Sequence, residues 1–198
     1  HGLAVKLHTF DVDLLGLSIG FLTTDVDHNP NMAAIELLDS ATGVSRERIV
    51  ETGLLAYEGS LWSAHRVHML PPWIMRVIRF GRRHIGHGQQ FCRMCLAEDE
   101  QPYFRRKWRV AFNVLCEKHA IMLDDACRQC GGPVEFHVGD FGKRLLDFDC
   151  PITRCGTCGL DLRVESGKYD RPASRELISF QSALNTMLDD GWSADIPG

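Results

Sequence analysis

The chain carries eight cysteines: Cys92, Cys95, Cys116, Cys127, Cys130, Cys150, Cys155 and Cys158, with none before residue 92. Six of them form the C-x-x-C pairs Cys92/Cys95, Cys127/Cys130 and Cys155/Cys158, and Cys116 precedes His119 at the same step. A two-residue gap lets one tight turn aim two soft donors at a single metal ion. An even cysteine count also suits a disulfide framework. Such frameworks rarely repeat this step, and the chain does not open on the basic segment and apolar run of a secretion signal.

Eight donors make two tetrahedral sites. Thiolates with one imidazole suit zinc, so two zinc ions per chain are expected. Sequential pairing predicts a site of Cys92, Cys95, Cys116 and His119 and a second of Cys127, Cys130, Cys155 and Cys158. The ligand order also resembles that of RING domains, whose cross-braced pairing would join the first and third pairs. Seven residues separate His119 from Cys127, whereas RING domains keep two or three there. Gly131 and Gly159 each follow the second cysteine of a pair, where a left-handed backbone closes the turn. Both sites are closed, with no position left for a reacting water, and neither H-E-x-x-H nor the deaminase pattern is present. No enzyme activity is therefore expected. Cys150 is left over and is read as a buried thiol, with a place as ligand instead of Cys155 as the alternative. His84 and His87 stand three apart but are not needed by either site.

The elements that must position these donors follow from pattern. The expected class is mainly α with small zinc-ribbon β elements. A helical, helix-turn-helix-like domain is expected over 1–70 and a basic helix or linker over 71–90. Tandem zinc fingers follow over 91–170, and a C-terminal amphipathic helix and tail over 171–198. Residues 10–24 read as an apolar helix. Asn29 and Pro30 open a second helix and Gly43 ends it. Ser45 caps a third over 46–55, which would be the recognition helix and presents Arg46 and Arg48. Gly59, Pro71 and Pro72 mark a linker over 56–72. Trp73, Ile74, Val77 and Ile78 then form the apolar stripe of a helix whose other faces carry arginines, Arg82 and Arg83 among them. In 103–112 a helix alternates aromatic residues with Arg105, Arg106, Lys107 and Arg109, a candidate surface for nucleic acid or an acidic partner. Residues 160–166 alternate like a strand. Leu177, Ile178, Phe180, Leu184, Met187 and Leu188 supply the apolar side of the last helix, with Ser174 as its cap.

The net charge of −4 hides a gradient. Residues 1–63 carry 3 basic and 9 acidic side chains, residues 64–119 carry 11 and 4, and residues 120–198 carry 8 and 13. The basic centre, net +7, points to a local anionic partner there, and the acidic flanks suit protein partners. No stretch approaches the roughly 20 apolar residues of a membrane span.

Residues 91–132 resemble the core of the TniQ family, which includes the TnsD-type proteins. An aromatic residue precedes the first C-x-x-C. Leu-Ala-Glu-Asp, Pro-Tyr-Phe-Arg, Trp-Arg, Cys-x2-His and C-x-x-C-Gly then follow in register. Arg93 and Arg128 depart from the pattern, standing where the family usually has proline. The resemblance implies a bacterial, cytoplasmic factor for transposition target selection. It would link a targeting element, either DNA itself or a CRISPR Cascade or Cas effector, to a transposon's AAA+ ATPase regulator, sometimes as a homodimer. A stand-alone zinc-ribbon transcription regulator and, further off, a RING-type zinc enzyme are the alternative readings.

Overall fold

A computed structural model describes residues 27, 32–62, 71–75, 77–80, 83–85, 87–134, 152–164 and 170–190 of the chain. The expected helix over 10–24, the Asn29–Pro30 opening, Arg82 and Cys150 lie outside the described residues.

Helix α1 spans Met32–Thr42 and helix α2 spans Arg46–Thr52. Gly43, at φ +65°, lets the chain turn left-handed, and its N–H donates to the Asp39 carbonyl at 2.9 Å. Ser45 Oγ accepts the Arg48 N–H at 3.4 Å and caps α2. Ile35, Leu38 and Ile49 close a small apolar core between the two helices. α2 is shorter than the 46–55 expected. Gly53 is extended, the Leu54 N–H donates to the Asp27 carbonyl at 2.8 Å, and a 3-10 turn takes over at Leu54–Tyr57.

Two expectations for the next stretch are corrected. The segment taken as a linker carries core: Tyr57 is buried with Leu54, Ile74, Val110 and Leu188, and Leu61 and Trp62 pack against them. The expected basic helix is instead a hairpin, with strand β1, Ile78–Phe80, antiparallel to strand β2, Arg83–Ile85. Arg79 lies opposite His84 and Phe80 opposite Arg83. The physical reason is twofold. β-Branched and aromatic residues flank Gly81, which suits strands and a turn better than a helix. The preceding backbone is also committed elsewhere: the Met75 N–H donates to the Arg109 carbonyl at 2.9 Å, and the Trp73 carbonyl accepts the Ala111 N–H at 2.7 Å. Trp73 itself is exposed at φ +70°, edge-on to Phe112, rather than in a buried helical stripe.

Helix α3, Arg93–Glu98, and the hairpin of strand β3, Leu115–Cys116, with strand β4, Ile121–Met122, enclose the main core. Phe91, Leu96, Trp108, Leu123, Val134 and Leu162 fill it together with five cysteines. Between α3 and β3 the expected helix is a single 3-10 turn, Arg106–Arg109, because Pro102 and extended backbone at Arg105 confine it to that length. Over 160–164, the described part of the strand expected at 160–166, the bridge is Arg154 to Asp161. Asp161 Oδ1 accepts the Arg163 N–H at 3.0 Å, which pulls the chain into a turn.

Helix α4, Arg175–Asp190, starts where Ser174 Oγ accepts the Leu177 N–H. Its docking face is more polar than expected: Gln181, Asn185 and Leu188 are buried, and Phe180 is 63% exposed. The reason is an orphan donor on the main body. The Val114 N–H finds its acceptor in Gln181 Oε1 at 3.0 Å, and Gln181 and Asn185 continue the chain of bonds to Glu117.

Candidate metal centre

The donors of the first cluster come from two elements. Cys92 is the N-cap residue of α3 and Cys95 lies one turn into it. Cys116 ends β3, and His119 occupies the tight turn to β4, which closes through Ala120 at φ +51°. The imidazole Nδ1 stands 3.3 Å from Cys92 Sγ and 3.4 Å from both Cys95 Sγ and Cys116 Sγ. Cys95 and Cys116 sulfurs are 3.5 Å apart. On its far side His119 Nε2 meets Glu98 Oε1 at 3.0 Å. That contact fixes the ring orientation and raises the basicity of the inward nitrogen, as carboxylates do for ligating histidines. Lys118 also pairs with Glu98 and, ahead of His119, holds its carboxyl below the usual range.

The second cluster joins two similar knuckles. Gly131 at φ +69° and Gly159 at φ +74° close the turns, and their N–H groups donate to the Cys127 and Cys155 carbonyls at 2.8 Å. The Gly132 and Thr157 N–H groups point at Cys130 and Cys155 sulfurs at 3.4 Å. Cys127–Cys158 and Cys130–Cys155 sulfurs are 3.6 Å apart.

Within each cluster the four donor atoms all lie within 4.8 Å of one another, so the two clusters could hold two metal ions. A tetrahedron with metal–sulfur bonds of about 2.3 Å has sulfur–sulfur edges near 3.8 Å, close to the spacings seen. The same spacings are far from the roughly 2.05 Å of a disulfide, and the described cysteines are unpaired. Sulfur hydrogen bonds with Cys92 and Cys95 hold the Cys116 thiol well below its usual range, while those with Cys116 and then Cys92 push the Cys95 thiol up. A dication among them favours the thiolate form of all three. The first cysteine pair lies with Cys116 and His119, not with the third pair, so the cross-braced arrangement of a RING domain does not fit.

The candidate contact cations are placed differently from one another. Arg109 is 1% exposed: Nε and Nη2 donate to the Met75 carbonyl and Nη1 pairs with Asp27, so this residue braces the core and faces no solvent. Arg105 is clasped between the Tyr103 and Trp108 rings at 4.7 Å and bonded to Asp99. Arg106 lies over the Tyr57 ring and donates to the Glu51 carbonyl. Lys107 pairs with Glu117, Arg46 with Glu36 and Asp39, and Arg48 with Glu51. Arg83 sits in β2. His87 Nδ1 contacts the Asp125 carbonyl at 3.1 Å. The charge count along the sequence could not show this pairing. Glu98 stood in the sequence only as part of the Leu-Ala-Glu-Asp match, and Asp170 carried no signal of its own.

Fold and site together define a helix-rich protein with two four-donor Cys/His clusters that could hold metal. A family model described as TniQ matches residues 1–123, including all four donors of the first cluster, and the chain belongs to the TniQ family. Membership marks it as a transposition-associated protein. No curated protein and no solved structure matches the chain. Among the described residues no helix is long and apolar enough to cross a membrane.

Proposed function

We propose that this chain is a non-catalytic adaptor for transposition target selection in the bacterial cytoplasm, with one structural zinc ion in each cluster. It links a targeting element, DNA itself or a CRISPR Cascade or Cas effector, to the transposon's AAA+ ATPase regulator. The observation that carries this reading is the family match over residues 1–123. Seven thiols and one imidazole, arranged as two closed tetrahedra, supply what a structural zinc site needs and leave no position for chemistry on a substrate.

We read α1, the Gly43 turn and α2 as a helix-turn-helix unit. Its cations Arg46 and Arg48 are each paired with carboxylates, which favours a protein partner over the phosphate backbone for this unit. DNA contact then falls to the hairpin that carries Arg83 in β2, and to Arg82, which lies outside the described residues. The test is co-purification of the full chain with the AAA+ regulator and with the Cas complex, alongside metal analysis. Capture of the regulator and about two zinc ions per chain, falling to one in Cys116→Ser, is the expected result. Tight binding to one DNA sequence with no affinity for the regulator would favour a transcription regulator instead.

A further inference from the structure

The residue that follows the first cysteine is an arginine in both Cys92-Arg93 and Cys127-Arg128, and both arginines end on one carboxylate. Arg93 Nε donates to Asp170 Oδ1 at 2.9 Å and its Nη2 donates to Oδ2, a bidentate pair. Arg128 Nη1 donates to the same Asp170 Oδ1 at 3.1 Å, while its Nε and Nη2 hold Asp124. The Arg93 side chain is 6% exposed and that of Arg128 is 16% exposed. Asp124 is tied to the first cluster too, because it exchanges both backbone hydrogen bonds with Phe91, the neighbour of Cys92. The segment that carries Asp170 is fastened to the first cluster's hairpin. The Arg171 carbonyl accepts the Met122 N–H at 2.9 Å, and the Ala173 N–H donates to Ala120 at 2.8 Å.

We infer that Asp170 is a joint between the two metal clusters, which makes their metal loading cooperative. Each ion fixes the turn that begins at its first cysteine, and so fixes where the following arginine points. With both turns fixed, Asp170 pairs with two largely buried guanidinium groups, of which Arg128 also holds Asp124. When one turn relaxes, its arginine leaves, and Asp170 is no longer held on that side to receive the other. A ligand at one site thus changes affinity at the other, and the change is reciprocal. This inference rests on the reading that both clusters bind metal, and it goes beyond the family assignment because it assigns a role to side chains outside the ligand sets.

The test titrates the full chain with cobalt alone, whose visible spectrum distinguishes a three-sulfur, one-nitrogen site from a four-sulfur site. Cys158→Ser disables the second cluster. With Asp170 intact, this substitution is expected to weaken cobalt binding at the first cluster about tenfold. In the Asp170→Asn background the first cluster already binds that weakly, and Cys158→Ser adds less than about a twofold change. Equal weakening in both backgrounds, or none with Asp170 intact, overturns the inference. Should Asp170→Asn fail to fold, Arg128→Gln removes the second cluster's arm to Asp170, together with its bonds to Asp124, and must likewise abolish the effect of Cys158→Ser. A chain that takes up no metal overturns the metal reading itself; two ions bound independently overturn only the coupling.

Discussion

Charge on a side chain and availability of that charge are separate properties, and the arginines around Trp108 show the difference. Arg105, Arg106, Lys107 and Arg109 are neighbours in sequence but meet four different environments. Arg109 is enclosed with the Met75 carbonyl and Asp27, so its loss removes the donor that it gives that carbonyl and a largely buried ion pair. Arg109→Ala is expected to cost about 3 kcal/mol of stability in urea denaturation. Lys107→Ala, which removes only a half-exposed pair, should change stability by less than about 0.5 kcal/mol. A loss below about 1 kcal/mol for Arg109→Ala would contradict the bracing role. No periodicity in the sequence separates these two residues, because their partners, Met75 and Asp27 against Glu117, come from elsewhere in the chain.

Elements whose ends are set by local chemistry were legible in the sequence. Gly43 and Ser45 stop and start α1 and α2 where their residue types require, since a left-handed turn and a side-chain cap involve only four or five consecutive residues. Ser45→Ala should therefore lower stability by about 1 kcal/mol, read as a shift in the denaturation midpoint with the slope unchanged. An unchanged midpoint would mean that α2 is held by its contacts alone. Elements whose hydrogen bonds are made at long range were not legible. The 73–85 segment has an apolar spacing that suits a helix, yet its backbone pairs with 109–111 and with itself as a hairpin. On α4 the apolar residues mark a plausible inner face, but the orphan N–H of Val114 selects Gln181.

At the scale of the whole molecule, five of the eight candidate metal donors are themselves core. Cys92, Cys95, Cys116, Cys127 and Cys155 are buried beside Trp108 and Leu96, and few long apolar runs are available to replace them. Removing metal with a strong chelator at neutral pH should therefore abolish the near-ultraviolet circular dichroism of the 1% exposed Trp108 and shift tryptophan emission to the red. Unchanged spectra would show a core that stands without metal. One apolar cluster draws on Leu54, Tyr57, Ile74, Val110 and Leu188, so residues from all four expected segments meet in it.

The sequence by itself determined which eight Cys and His side chains gather into two groups of four that could hold metal, their grouping in order, the glycines that close the second cluster's turns and the family resemblance. All of these rest on residue type and on spacings of a few residues, which backbone geometry converts directly into shape. Only the tertiary structure decided which cations are already neutralised, that Glu98 orients His119, and that Arg93 and Arg128 share Asp170. Those contacts span up to 77 residues, and a side chain's partner at that distance is set by how the cores pack, not by the pattern around it.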